Sequence, residues 1–302
     1  MKKRNTKSGG QMLTGEDLTA FLNATGKIEY GMTVDYMFRV VLQRSKPALT
    51  GLTASILHLR KEDITDIFIL NPINPGENIV DKEIRMDVRV SLNNNTTLDL
   101  EMQVKNEGDW PERSVTYLCR EFDSISSGEE YETVKSVYQI GFLDFTLFKD
   151  HHEFCGRYQL RNQNDNHLYT DKLNLIVVSL NQTNLATDED KTYEIDKWAK
   201  FFKAKTWEDL KMIAQNNESM TSAAESIFLS NQDYNIRKVI RERQEHERYV
   251  HRLETENASL KKESKADKAK IGITQTKLDE ALKTIAKLEA ELKKYQEQDE
   301  KD

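Results

Sequence analysis

Two carboxylates in the first half of the chain would do metal chemistry if the fold set them face to face. Residues 84–92 read Ile-Arg-Met-Asp-Val-Arg-Val-Ser-Leu, and residues 98–105 read Leu-Asp-Leu-Glu-Met-Gln-Val-Lys. Both runs alternate apolar with polar residues, the pattern of half-buried strands. Ile84, Met86, Val88, Val90 and Leu92 share a face, and so do Leu98, Leu100, Met102 and Val104. That leaves Arg85, Asp87, Arg89 and Ser91, with Asp99, Glu101, Gln103 and Lys105, on the other. Carboxylates directly opposite on a sheet have Cβ atoms about 4.5–5.5 Å apart and repel by up to about 1 kcal/mol. A divalent cation between them reverses that sign. Hard oxygen ligands at this separation suit Mg²⁺ or Mn²⁺, often held by one or two carboxylates plus substrate phosphate. Such an ion activates a water and stabilises charge at phosphorus. From the pattern alone, the competing account is a solvated ladder in which Arg85, Arg89 and Lys105 neutralise the acids.

Whether Asp87 meets Glu101 depends on the turn. Asn93-Asn94-Asn95 separates the runs, and asparagine tolerates the positive φ that tight hairpins need. Burying both apolar faces on one side requires paired positions to sum to an even number. A three-residue loop pairs Leu92 with Thr96, which sets Asp87 opposite Glu101 and Arg85 opposite Gln103. A slip of one residue would turn Val88, Val90 or Leu98 out of the core.

Around this hairpin the periodicity predicts helices over 16–24 and 33–44, a strand at Ile64–Leu70, and a loop at 71–76. A helix follows near 111–128, then strands at Val134–Phe148 and Leu173–Leu180, and helical structure over 190–230. The mixed order predicts an α/β or α+β core. On the helix near 111–128, Arg113 and Tyr117 lie four apart and share a face; they suit phosphate contact or simple packing on the sheet equally well. Adjacent His151 and His152 point to opposite faces of any strand and read as a surface loop pair. Trp198, Phe201 and Phe202 read as core.

The last third has a different character. All four prolines precede residue 112, and no glycine occurs between Gly156 and Gly272. A heptad seam puts Val250, Asn257, Ser264, Ile271, Leu278, Ile285 and Leu292 at a, and Leu253, Leu260, Asp267, Thr274, Ala281, Leu288 and Tyr295 at d. One register holds throughout, and the lone Asn257 is the kind of residue that fixes register and strand number. A self-associating coiled coil over 250–295, as a homodimer or higher homo-oligomer, is expected; a single solvated helix is the alternative. The expected organisation is a disordered 1–14, a core over 15–185, a helical extension over 186–235 and a long helix or coiled coil over 236–302.

Composition sets outer limits. The 302 residues carry 44 Lys+Arg and 51 Asp+Glu, a formal charge of −7. Residues 231–302 hold 17 basic and 16 acidic residues, which leaves 27 and 35 for the rest, a net of −8. No run reaches the roughly 20 apolar residues of a membrane span. The basic opening has no apolar segment after it, so no secretory signal is expected. Cys119 and Cys155 read as reduced thiols, which suits a cytoplasmic protein.

The runs Met86-Asp87-Val88-Arg89-Val90 and Leu98-Asp-Leu-Glu-Met-Gln103, followed by Trp110-Pro111, Arg113 and Tyr117-Leu118, resemble the recombination-promoting nuclease/putative transposase family of the PD-(D/E)XK nuclease superfamily. Asp35-Tyr-x-Phe38, Gly128-x2-Tyr131, Ile140-Gly-Phe-Leu-Asp-Phe145 and Thr170-Asp-Lys-Leu continue the likeness. The resemblance implies a restriction-endonuclease-like α/β core, a mixed four-stranded sheet flanked by helices, with a C-terminal helical tail. It implies that Asp87 and Glu101 bind Mg²⁺, with Asp35 assisting. The position of the superfamily's lysine is taken by Gln103, which brings no positive charge; Lys105 lies one strand repeat further on. DNA is then the expected partner, with Lys105, Arg113 and Tyr117 as candidate contacts and no membrane association. Two functions follow: a Mg²⁺- or Mn²⁺-dependent DNA endonuclease, or a weak or inactive nuclease-like scaffold that dimerises through its tail and binds DNA or protein. The net −8 of the body opposes non-specific DNA binding, which rests on phosphate neutralisation. Six cations between Arg237 and Arg252 only partly offset it.

Overall fold

The structure is a computed structural model and describes residues 13, 15–72, 88–123 and 130–299, with side chains through 293. The chain divides into two compact units, residues 1–240 and residues 241–302.

In the first unit, six strands form one mixed sheet in the order β1-β2-β3-β4-β6-β5. They are β1 (Ile67–Ile69), β2 (Val88–Leu92), β3 (Thr96–Gln103), β4 (Ser136–Leu143), β5 (Cys155–Gln159) and β6 (Leu173–Ser179). The pairs β1–β2, β2–β3 and β5–β6 are antiparallel; β3–β4 and β4–β6 are parallel. This sheet is wider than the four strands implied by the resemblance, because short β1 and β5 close its edges. The hairpin turns as the sequence requires: Leu92 pairs with Thr96, Arg89 with Asp99 and Val88 with Leu100. Asn93 and Asn94 both take positive φ, 48° and 58°. The Asn93 side chain also accepts hydrogen bonds from the amides of Thr65 and Asp66, at 2.9 and 3.1 Å, and so ties the hairpin tip to the entry of β1.

Helices α1 (Gly15–Asn23), α2 (Asp35–Arg44), α3 (Lys46–Leu57), α5 (Asp188–Thr192), α6 (Ile195–Lys203), α7 (Trp207–Ala214) and α8 (Glu218–Gln232) build the other part of this unit. Phe38 of α2 packs on Phe142 of β4 and Phe202 of α6, with ring centroids 5.7 Å from each. These rings belong to the large core that also takes in Leu98, Leu100, Met102, Ile140, Ile176 and the buried faces of α3 and α8. Gly51 permits a close α3–α8 crossing, since a Cβ there would meet the side chain of Ser219. The opposite face of the sheet is covered by α4 (Trp110–Phe122).

Several boundaries differ from the sequence reading. The apolar run 134–148 supplies a strand only over Ser136–Leu143. The helical stretch 190–230 is four helices, α5 to α8, and α6 to α8 pack into the same core as α2 and α3. Helix α3 was hidden by Pro47, which stands in the first turn where its missing N–H costs nothing; Ser45 caps it by accepting from the Ala48 amide at 3.1 Å.

The second unit consists of the greater part of α9 (Tyr234–Asp299). At about 1.5 Å per residue its 66 residues span roughly 100 Å. Among the described residues, no helix is long and apolar enough to cross a membrane.

Candidate active site

Residues of β3 with odd numbers point to the α4 face. In the parallel register with β4, Asp99 lies beside Gln139 and Glu101 beside Gly141. Helix α4 buries Trp110, Ser114, Leu118 and Glu121, an i, i+3/i+4 stripe that forms its sheet-facing side. The Trp110 indole fills the space that a side chain at 141 would need, and forms a small apolar cluster with Leu143 and Val177. Glycine at 141 is therefore what lets α4 settle next to Glu101.

Among the described residues, ion pairs of Arg113 and Arg89 fasten α4 to the hairpin. Arg113 places Nη2 3.2 Å from Glu101 Oε1, while its guanidinium stacks 5.3 Å from the centre of the Trp110 ring. Arg89 of β2 pairs with buried Glu121 near the end of α4. Between them lie Asp99, 2% exposed, and Gln139, fully buried. The alternation in β2 and β3 marks this face as polar but says nothing of a cover; α4 turns it into a buried polar layer. Gln139 has no hydrogen-bond partner at either amide atom among the described residues, nor has the Trp110 indole N–H. A buried polar group left so costs about 1–3 kcal/mol.

The candidate residues fall as follows. Glu101 sits in mid-strand on this face, its side chain 14% exposed. Gln103 ends β3, and its Nε2 donates to the Lys105 carbonyl at 2.9 Å. Lys105 is exposed and lies past the strand end, not on a continuing ladder. Asp87 and Arg85 lie outside the described residues. Asp35 opens α2; one turn on, Arg39 donates to the Asn71 carbonyl, and the Asn71 side chain accepts from the Arg89 amide at 2.9 Å. This flank of α2 thus reaches the start of β2, although the helix buries its apolar side against the other face of the sheet. Tyr117 is half-buried one turn after Arg113, with the Arg120 guanidinium 5.9 Å from its ring centre. His151 lies 3.5 Å from Glu153, whereas His152 Nδ1 lies 3.1 Å from Gln182, so the two rings serve different neighbours. Sequence reasoning placed Asp99 on this polar face but missed its burial, and it missed Gln139 and Glu121 as members of the layer. The signal was present in α4, whose Trp110, Leu118 and Glu121 spacing demands a surface to cover.

In donor type this face suits a hard cation: Glu101 offers carboxylate oxygens, and Asp99 is a second carboxylate two residues away. Among the described residues, however, no group of three or more His, Cys, Asp or Glu is arranged to hold a metal ion. Arg113 also engages Glu101 Oε1, so a cation there must share or displace that guanidinium.

A family model described as PD-(D/E)XK nuclease family transposase matches residues 32–255. The chain belongs to that family. The match takes in Asp35, Asp87, Glu101 and Gln103, the hairpin, α4 and the whole six-stranded sheet. No curated protein and no solved structure matches the chain. Membership in the PD-(D/E)XK nuclease family transposases makes this a nuclease-like domain, and the mixed sheet with helices on both faces agrees with its α/β core.

Proposed function

We propose that the protein is a Mg²⁺- or Mn²⁺-dependent DNA endonuclease of the recombination-promoting type. Asp87 and Glu101 hold the ion, with Asp35 as a third carboxylate. The observation that carries this reading is the hairpin register. The pairing that joins Leu92 to Thr96 and Val88 to Leu100 is the one from which the sequence argument sets Asp87 against Glu101. The position of α2 supports the part given to Asp35, since Arg39 on the same helix reaches the Asn71–Arg89 junction.

The bound ion would supply a polarised water and charge neutralisation at phosphorus. Gln103 would orient that water through its amide but adds no charge, which predicts slower hydrolysis than a lysine would give. Arg113 has a double part. While it holds Glu101 Oε1 it keeps the carboxylate in place; were it to turn to a backbone phosphate, which its fork fits in two-point fashion, that oxygen would be free to hold an ion. Lys105 and Tyr117 extend the phosphate contacts along the exposed side. The two free thiols, Cys119 and Cys155, suit a reducing cytoplasm.

A second reading is favoured by two observations, the net −8 of residues 1–230 and the guanidinium already seated on Glu101. It makes the protein a nuclease-like scaffold that binds DNA or protein. In both readings the chain self-associates through 250–295, where the apolar seam of α9 stands open, Leu253 to Leu292 being 41% to 67% exposed. Incubation of supercoiled plasmid with Mg²⁺ or Mn²⁺ separates the two. Wild type should nick it and Glu101→Gln should lose at least about a hundredfold in rate; intact plasmid after prolonged incubation with wild type would leave the scaffold.

A further inference from the structure

We infer that α9 pairs with a second copy of this chain as a parallel, in-register, two-stranded coiled coil. The inference rests on the self-association proposed above and adds number and direction to it. The partner is set by the charges that flank the seam. In a parallel pair each g position meets the e position five residues on in the other helix, whereas in an antiparallel pair g meets g and e meets e.

In the parallel register Glu256 faces Lys261 and Glu263 faces Lys268, and symmetry doubles both contacts. The remaining g–e pairs along the seam each include an uncharged residue, so none repels. The fully overlapped antiparallel arrangement sets Glu256 against Glu291, Glu254 against Glu289 and Lys270 against Lys277, with no opposite pair among its flanks. Like charges at these positions exclude partners as effectively as opposite ones select them.

The seam layers agree. In parallel register Asn257 meets its own copy, and the two amides satisfy each other; in the antiparallel one it faces Leu288 and stays unpaired in an apolar layer. Asp267 is the one layer that works against the parallel form, because it too meets its copy. Its contact with Lys270, 3.5 Å away on the same helix, weakens that repulsion. That contact is also the only ion pair within α9 from residue 249 to 293 among the described residues. A helix of this length standing alone in water would depend on many such pairs, whereas an exposed seam of Ile271, Leu278, Ile285, Leu288 and Leu292 is satisfied by a second seam.

Sedimentation equilibrium of the full chain at low salt tests number and direction together. Wild type should sediment as two chains. Glu256→Lys turns the parallel Glu256–Lys261 contact into repulsion and should raise the dissociation constant at least about tenfold; Glu256→Lys with Lys261→Glu should restore it. In the antiparallel form Glu256→Lys would instead tighten the pair against Glu291, and Lys261→Glu, facing Leu282, would rescue nothing. Tightening, or failure of the rescue, overturns the parallel direction and leaves self-association standing. A mass of three or four chains overturns the two-stranded form. A single-chain mass for wild type overturns self-association itself, whatever the plasmid assay shows.

Discussion

On one side of β3, Leu98, Leu100 and Met102 enter a dry core with Phe38, Phe142 and Phe202; on the other, Asp99 and Glu101 lie with Gln139, Arg89, Arg113 and Glu121 beneath a single helix. Both sides are covered, yet they obey different rules. The first is close-packed apolar surface, where shape and volume set stability. The second keeps charges and an unsatisfied amide under cover, which lowers stability unless something is gained in return. The same strand thus separates what holds the fold from what the fold holds in place.

Substitutions on the two faces should therefore diverge. The largest effect is expected in the core: Phe142→Ala, which empties the centre of the aromatic cluster, should cost about 3–5 kcal/mol in urea unfolding. A cost under 1 kcal/mol would mean that the dry face is not what holds the sheet. Next comes Gly141→Ala, where the added methyl strikes the Trp110 ring; overpacking of about 1–3 kcal/mol is expected, with Arg113 drawn off Glu101. On the polar face the sign should reverse. Gln139→Met removes a buried amide that has no partner among the described residues, and the chain should gain about 1–2 kcal/mol. If unfolding instead shows a loss, the amide is satisfied in solution and the contrast between the faces is weaker.

The smallest effect concerns His58, away from both faces. Burial, and then the nearby Arg157, lower its pKa below the usual histidine value, against the pull of Glu189; its ring stacks 4.2 Å from that of Tyr193. A lowered pKa in the folded state means stability that is present above about pH 6.5 and is lost as the pH falls through the shifted value. His58→Asn keeps a residue tolerant of the left-handed conformation found there, φ 55°, and should flatten that decline in melting temperature as the pH falls below the usual histidine range. An unchanged slope would place the acid sensitivity elsewhere.

The parts that could be read from sequence are those fixed by local periodicity. Alternation of period two, plus a turn of three asparagines, settled the pairing of Val88–Leu92 with Thr96–Leu100 to the residue. The apolar spacing within 33–44 announced α2, and Trp198, Phe201 and Phe202, read as core within the helical stretch 190–230, fall in α6. What escaped needs contacts between distant segments. Alternation assigns Asp99 to a polar face whether that face meets water or α4, and only the Trp110–Gly141 contact, 31 residues apart, decides it. Strand β5 escaped because Cys155–Gln159 is short, half polar and stabilised by its neighbour β6 rather than by its own pattern. Asp87 could be argued only from the register, and it lies just before the first described residue of β2.

That residue is also where the account is most open to direct challenge. Calorimetric titration of Mn²⁺ into the full chain asks whether the polar face takes a cation at all. Wild type should give saturable heat, and Asp87→Ala and Glu101→Gln, both still folded by circular dichroism, should give none. Heat no greater than dilution for wild type, or undiminished heat in both variants, would contradict the assignment of the metal to these two carboxylates.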